Sequence, residues 1–144
     1  MLKFAQINKV RPGQFDQVIA PVRSLRSPHL WMEQVPALAP SPDLFHKYLD
    51  LRKEGYWNQE SFQKIYVPQF LRELKANSKA AQWLNRLYLM DRHGKNIALT
   101  CYCTDETLCH RSILAGLLAG AGCTCWLEKH EPEIEYFNMY KALD

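Results

Sequence analysis

The sequence predicts an α/β fold built around a small, mostly parallel sheet, and two observations near residue 100 predict it. Residues 96–103 are mainly small, apolar or β-branched, which is typical of a buried strand, and residues 109–118 follow with an apolar repeat of helical period. A second apolar stretch, residues 123–128, comes after Gly120 and Gly122, where we expect the helix to end. Strand, helix and strand within about thirty residues form a right-handed crossover, so we expect these two strands to run parallel.

The composition is typical of one globular domain. The chain has 144 residues, of which 47% are hydrophobic and 23% charged, and we expect residues 1–144 to form a single α/β domain. No apolar run approaches the roughly 18 residues that a membrane span requires, and the first residues lack the apolar centre of a secretory signal. We therefore expect a cytoplasmic protein that makes no membrane contact. A formal net charge of +3 is too small to predict nucleic-acid binding by itself.

The cysteines indicate reduced thiols. There are five, and four of them form two C-x-C pairs, Cys101 with Cys103 and Cys123 with Cys125. An odd number in this arrangement does not fit the disulfide framework of a secreted protein. We expect Cys101, Cys123 and Cys125 to be small apolar fillers of the core.

The remaining elements follow from local patterns. Residues 2–7 and 17–22 are expected to be strands, and residues 28–42, with four prolines, an extended connector with little regular structure. Helices are expected in four segments: 42–55, 58–74 with a kink or restart at Pro68, 78–94 with Ser78 as its cap, and 132–143 as a C-terminal helix or irregular tail.

The turn between the central strand and the central helix carries the candidate catalytic residues Cys109, His110 and Arg111. The first backbone N–H groups of a helix are unpaired and partly positive, so a thiol held there has a lowered pKa. Cys109 is therefore a candidate thiolate nucleophile or redox thiol, and His110 a group that orients the loop or exchanges protons. On a helical wheel Cys109 and Arg111 lie on opposite flanks, so they converge only if Cys109 lies in the turn or at the first helical position. The pattern leaves an alternative open: a buried cysteine, a core histidine and a solvated arginine.

A candidate anion-binding set, Arg23, Ser24 and Arg26, lies in the loop after residues 17–22. Guanidinium groups match phosphate and carboxylate with two donors at a time. The carboxyl ends of parallel strands meet at one edge of a sheet, so this loop is expected beside Cys109. The alternative is a solvated turn.

The same central segment has two further interpretations. Cys101, Cys103, Cys109 and His110 have the spacing C-x-C-x5-C-H, which offers four metal ligands. Inside a sheet, however, the two members of the C-x-C pair would share one face, and structural zinc sites typically use C-x2-4-C on turns. The sequence therefore favours thiols without a metal, and no cofactor is expected.

The two acidic residues of the turn are candidates for acid–base chemistry. Asp105 and Glu106 precede the central helix, where one of them would act as a base or hold a substrate. The alternative is that one of them caps the helix, since a carboxylate is favourable at its positive end.

Three segments resemble one family. Residues 99–115, LTCYCTDETLCHRSILA, resemble the LLCxC…CHRxxLA signature of the family known as domain of unknown function 488. Residues 22–27, VRSLRS, resemble its DVRSxPRS stretch, and residues 62–74 resemble its F…Y…L helix. The resemblance implies a compact three-layer α/β domain with a Rossmann-like or flavodoxin-like sheet.

The resemblance also implies a set of functional positions, which are Arg23, Arg26, Cys109, His110 and Arg111. The chain departs from the family pattern at Pro21, where the family has Asp before Val-Arg. If that acid takes part in a reaction, this chain lacks the step or takes the acid from Asp105 or Glu106.

These observations predict an enzyme that binds an anionic small molecule or nucleotide at the carboxyl ends of the strands. Cys109 would be the nucleophile or redox thiol, and Arg23, Arg26 and Arg111 would hold the anion. The alternative is a non-catalytic module that binds nucleotide or nucleic acid through the same three arginines, while the cysteines only pack.

Overall fold

A five-stranded sheet forms the centre of the protein. The structure is a computed structural model that describes residues 1–24 and 30–143. The strands are β1 (Leu2–Gln6), β2 (Gln17–Ala20), β3 (Met32–Gln34), β4 (Ile97–Cys101) and β5 (Cys125–Trp126). Every pairing is parallel, and the order across the sheet is β3-β2-β4-β1-β5, which places β4 in the middle. The predicted α/β class with a small parallel sheet is confirmed.

The described residues form six α-helices. They are α1 (Pro42–Lys53), α2 (Gln59–Ser61), α3 (Val67–Ala76), α4 (Ser78–Arg92), α5 (His110–Gly120) and α6 (Glu135–Lys141). Short 3-10 turns occupy Ile7–Lys9, Pro36–Leu38 and Glu106–Leu108, and a π-helical segment, Phe62–Tyr66, joins α2 to α3. None of these helices has the length and apolarity needed to cross a lipid bilayer.

Local sequence signals set most helix starts. The Ser41 side chain accepts a hydrogen bond from the Leu44 N–H at 3.1 Å, which caps α1 as residue types at that position predict. The predicted restart at Pro68 is confirmed, because α3 begins with this proline in its first turn. The prediction that Ser78 caps α4 is wrong by one residue. Asn77 is the cap, and its side chain accepts from two backbone N–H groups of the first turn.

The predicted connector at residues 28–42 contains a strand that local patterns did not reveal. β3 is three residues long and pairs with β2, with Met32 opposite Val18. So short a strand next to Pro36 carries no periodic signal, and its hydrogen bonds come from β2. β5 is also shorter than predicted, two residues instead of six.

Two apolar clusters lie against the sheet. Residues of α1, α3, α4, α5 and α6 contribute to the larger one, together with Phe4 of β1. The smaller one contains Ala5, which points to the opposite face of β1, and is built from strand and loop residues. Helices, sheet and this thin outer layer form a three-layer-like arrangement. Cys101 and Cys109 belong to the smaller cluster, at the end of β4.

The central helix α5 is enclosed on all sides. Every residue from His110 to Leu118 is buried. Packing against the segment that leads into α6 is so close that a Cβ added at Gly116 would lie 2.2 Å from the Glu133 carbonyl oxygen. A helix that is buried all round has no solvated flank, so polar side chains in its first turn must find partners inside the protein.

Candidate functional site

The site begins where β4 ends. Cys101 is the last residue of β4, and Cys109 is the N-cap of α5, with an extended backbone. A 3-10 turn at Glu106–Leu108 brings the chain back between them. The condition set by the helical wheel, that Cys109 lies at the helix start, is therefore confirmed.

Four potential ligand atoms converge at this point. The sulfurs of Cys101 and Cys109 are 3.1 Å apart, and the Cys109 sulfur is 3.7 Å from Nδ1 of His110. With the sulfur of Cys103, these atoms all lie within 4.8 Å of one another. We refer to Cys101, Cys103, Cys109 and His110 as the thiol–imidazole cluster.

His110 is oriented by groups outside the cluster. Its Nε2 lies 2.7 Å from the carbonyl oxygen of Pro21, and the Phe70 ring packs edge-on at a centroid distance of 5.8 Å. A carbonyl oxygen only accepts hydrogen bonds, so Nε2 carries the ring proton. In the neutral ring Nδ1 then keeps its lone pair, and it is Nδ1 that faces Cys109.

Arg111 is also part of the site. Its side chain is 1% exposed, and Nη1 donates to the Cys101 sulfur at 3.4 Å. Its Nε has no hydrogen-bond partner among the residues that the structure describes. Cys109 and Arg111 both contact Cys101, a convergence that the helical wheel allows only when Cys109 lies at the helix start, as it does here. A guanidinium buried in this way lies against the sulfurs, where it is not open to an external anion.

The thiols of the cluster differ in acidity. Hydrogen bonds from the Cys103 and Cys109 thiols hold the pKa of Cys101 well below its usual range, and the charge of Arg111 adds to this effect. Burial, followed by the interaction with Cys101, raises the pKa of Cys109. The hydrogen bond to Cys101 raises the pKa of Cys103 to about 12.

The predicted role of Cys109 as the accessible thiolate therefore needs correction. Its side chain is 1% exposed, and burial raises the pKa of its thiol well above the usual range. Within the cluster, Cys101 is the thiol whose pKa the surroundings lower. Sequence spacing did not reveal this, because the donor from Arg111 and the thiols around Cys101 come together only in the fold.

The loop after β2 reaches the same edge of the sheet. β2 and β4 are adjacent and parallel, and Pro21 makes the contact with His110 described above. Arg23 and Ser24 are exposed in this loop, and Nε of Arg23 donates to the Pro40 carbonyl at 2.7 Å. Arg26 lies outside the described residues. The loop after β2 and the start of α5 therefore lie at the same edge of the sheet, as predicted. Anion binding by this loop stays a prediction.

The two acidic residues of the turn have structural partners. Asp105 accepts from the backbone N–H and the hydroxyl of Thr107 and so caps the 3-10 turn. Glu106 is 1% exposed and accepts from the backbone N–H groups of Glu128 and Lys129, at 2.7 and 2.8 Å.

The Glu106 carboxylate also lies 3.0 Å from Nδ1 of His130. Glu106 thus connects the turn between β4 and α5 to the segment after β5. No local pattern indicates this connection, because the partners of Glu106 lie more than twenty residues further along the chain.

The argument that the sequence offered against a metal is wrong on one point. It assumed that Cys101 and Cys103 both lie inside the sheet, but the strand ends at Cys101 and Cys103 lies in the following turn. The filler role predicted for Cys123 fits its place in the larger apolar cluster. Cys101, predicted to be a filler too, is instead a member of the thiol–imidazole cluster.

A surface cavity of about 360 Å³ lies near the start of α5. Its lining includes Gln63, Ser112 and His130, together with the carboxylates Glu131 and Glu133, and no cluster cysteine. Among the described residues that line it there is no lysine or arginine. Its charge does not suit an anionic ligand, so the candidate site remains the edge formed by the two loops.

Comparison with known proteins gives a family. No curated protein and no solved structure shows significant similarity to the chain. The family model DUF488-N3a, described as the active DUF488-N3 subclade, matches residues 14–122, which include β2 to β4 and α5. That match covers more than half of the chain and includes the thiol–imidazole cluster, Arg23 and Arg111. The chain therefore belongs to the DUF488 family, within the active DUF488-N3 subclade.

Proposed function

We propose that the chain is an enzyme whose working centre is a metal ion of the zinc class, held by the thiol–imidazole cluster at the carboxyl edge of the sheet. The observation that carries the proposal is that the four potential ligand atoms lie within 4.8 Å of one another. Three sulfurs and one imidazole nitrogen are a ligand set typical of tetrahedral zinc. Thiolate and imidazole ligands also favour zinc over magnesium or calcium.

The orientation of His110 supports a role as ligand. Its Nε2 donates to the Pro21 carbonyl, so the Nδ1 lone pair is directed at the sulfurs. A metal-bound histidine almost always donates its other ring N–H to a carbonyl, carboxylate or water, which fixes the tautomer and the ring plane. His110 has this arrangement, with Nε2 at the Pro21 carbonyl and Nδ1 at the Cys109 sulfur.

The buried arginine supports the same centre through charge. Three thiolates and a divalent ion carry one net negative charge, and the guanidinium of Arg111 carries one positive charge. Arg111 makes no ion pair with a carboxylate among residues 1–24 and 30–143. A buried cation without an anionic partner is costly, and the loaded centre would supply that partner.

The substrate class follows from the surroundings of the centre. A bound zinc ion would supply a Lewis acid that polarises a carbonyl or phosphoryl oxygen. The exposed Arg23 and Ser24 lie in the loop whose Pro21 contacts His110, and a guanidinium there suits phosphate or carboxylate. The substrate we propose is an anionic small molecule or nucleotide. The description of the subclade as active supports a working site.

The surroundings also bear on the alternative function and on the compartment. No observation favours a non-catalytic module that uses Arg111 to bind nucleotide or nucleic acid, because that side chain is buried against Cys101. Free thiols at the centre fit a reducing compartment, and we assign the protein to the cytoplasm.

Metal analysis of the purified chain tests the proposal. Protein purified under reducing conditions without chelator, and then supplied with zinc, is expected to retain one zinc ion per chain after desalting. Cys101→Ser removes a ligand and is expected to lose the ion. Cys125→Ser is the matched control, because Cys125 lies on β5 outside the cluster, and it is expected to retain the ion. A wild-type chain that retains no zinc contradicts the proposal.

A further inference from the structure

We infer that Cys103 is the exchangeable ligand of this centre, and that a monoanionic donor atom of the substrate takes its place. The inference rests on the proposed metal centre and deepens it. Zinc sites with four protein ligands are usually structural, whereas catalytic zinc keeps one position for water or substrate. An enzyme built on this cluster therefore needs one ligand that can leave.

Two of the three sulfurs are fixed by regular structure. Cys101 ends β4, is paired with Gln6 of β1 and is 1% exposed. Cys109 caps α5 and is equally buried, and its carbonyl oxygen accepts from the N–H and the hydroxyl of Ser112, at 3.0 and 2.7 Å. Because both side chains are buried, a rotated sulfur would still lie inside the protein, and reaching solvent would require the strand or the helix to move.

The imidazole is fixed as well. His110 lies in the first turn of α5, with Nε2 held by the Pro21 carbonyl and the ring packed against Phe70. Rotating Nδ1 away from the cluster would break that hydrogen bond inside the protein, which leaves a buried N–H without a partner.

Cys103 differs from the other three. It lies two residues beyond β4 and before the 3-10 turn, in no helix or strand, and it is only partly buried. The next two residues, Thr104 and Asp105, are exposed. Its sulfur can therefore move outward through a rearrangement of the turn alone, while the other three ligands stay in place.

Charge selects the donor that replaces it. If the Cys103 sulfur left, the metal–sulfur bond would break, its electron pair would stay on sulfur, and the sulfur would take up a proton from the incoming thiol or from solvent. The remaining two thiolates, the divalent ion and Arg111 then carry one net positive charge. A monoanionic donor restores neutrality, and a thiol does so by giving its proton to Cys103 as its own sulfur binds the metal.

Cobalt spectroscopy tests the exchange, with 2-mercaptoethanol as the probe. In cobalt-loaded protein the sulfur-to-cobalt charge-transfer absorption scales with the number of bound thiolates. In Cys103→Ser we expect retained cobalt and about one third less of this absorption, since two of three thiolates remain. Added 2-mercaptoethanol is expected to restore the absorption in this variant. Cys109→Ser is the matched control and is expected to lose the metal, so that the thiol restores nothing.

Alkylation of the zinc-loaded protein is the second measurement. N-ethylmaleimide is expected to modify Cys103 before Cys101 and Cys109, with zinc retained, in a Cys125→Ser background that removes one other partly buried thiol. The inference is overturned if Cys103 reacts no faster than its two partners, or if Cys103→Ser and Cys103→Ala lose the metal as completely as Cys109→Ser. A wild-type chain that binds no metal overturns the proposed function, and this inference with it.

Discussion

The two C-x-C pairs of the chain have the same spacing and different surroundings. Cys101 and Cys103 meet the thiol of Cys109, and the hydrogen bonds among the three lower the pKa of Cys101 well below its usual range. Cys123 lies in the larger apolar cluster, where burial raises its pKa to about 11. Burial likewise raises the pKa of Cys125. The surroundings thus lower the pKa of one thiol of the first pair and raise the pKa of both thiols of the second.

The difference arises from the residues that follow each pair. After Cys103, a 3-10 turn and the start of α5 return Cys109 to the sulfurs. After Cys125, the chain continues into the core at Leu127 without bringing back a third ligand. In the part of the chain that the structure describes, only the first pair belongs to a set of three or more metal-ligating side chains. The chemistry of a C-x-C pair therefore depends on whether a later element brings a third ligand back to it.

The largest effect that separates the two regions is expected from Arg111→Gln. In the zinc-loaded protein this change leaves the thiolates without their buried cation, and we expect the free energy of unfolding to fall by about 3–5 kcal/mol. We also expect weaker zinc binding. Urea denaturation with and without zinc measures both effects.

The matched control for Arg111 is Arg86→Gln. Arg86 is exposed and stacks on the Trp83 ring at 4.6 Å, so its loss is expected to cost less than about 1 kcal/mol. Equal stability of the two variants would show that Arg111 does not compensate the charge of the cluster.

The second prediction compares how much zinc stabilises variants of the first and of the second C-x-C pair. A ligand at about 1,000 times its Kd stabilises the folded state by about 4 kcal/mol. We expect a gain of this size on adding zinc to the wild type and to Cys123→Ser, but none for Cys101→Ser. Thermal denaturation across a zinc titration measures it. A similar gain in Cys101→Ser would place the zinc elsewhere.

The third prediction concerns pH. Thiolate and imidazole ligands must be deprotonated to bind metal, so protons compete with zinc. The stabilisation by zinc is therefore expected at neutral pH and above, and is expected to decrease as the pH falls and the ligands take up protons. Zinc titrations at neutral and mildly acidic pH measure this, with Cys125→Ser following the wild type. An affinity independent of pH would exclude the thiol–imidazole cluster as the ligand set.

The smallest effect is expected from Glu106→Gln. The Glu106 carboxylate accepts hydrogen bonds from two backbone N–H groups. Glutamine keeps one acceptor oxygen and would turn its own N–H donors toward the other N–H group, so we expect a loss of about 1–3 kcal/mol of stability. The amount of zinc retained is expected to stay at one ion per chain. Glu131→Gln, at an exposed position, is the control and is expected to be nearly neutral. A Glu106→Gln variant that loses zinc while its stability is unchanged would show that Glu106 takes part in metal binding and does not only stabilise the turn.

Much of the fold could be predicted because its elements carry local signals. The strand, turn and helix of residues 97–120 show the change from apolar strand to helical period, and Ser41 and Pro68 mark helix starts. β3 could not be predicted, since its three residues depend on pairing with β2. Elements stabilised mainly by a distant partner leave no periodic pattern in their own residues.

The position of the site could be predicted from the sequence, but the roles of its residues could not. The rule that parallel strands present their carboxyl ends together placed Pro21 and His110 at one edge. The burial of Arg111 could not be predicted, because the helical wheel assigns this residue to a solvated flank of α5, whereas in the fold its guanidinium lies against Cys101 at the end of β4. The departure of Cys103 from the strand was equally hidden, since Tyr102 and Cys103 suit a strand as well as a turn and the first turn-type residue is Thr104.

X-ray absorption spectroscopy at the zinc edge of the loaded protein tests the central claim most directly. The account predicts three sulfur ligands at about 2.3 Å and one nitrogen at about 2.0–2.1 Å, with one sulfur lost in Cys103→Ser and none in Cys125→Ser. A ligand shell of oxygen and nitrogen alone, or an unchanged sulfur count in Cys103→Ser, would contradict it.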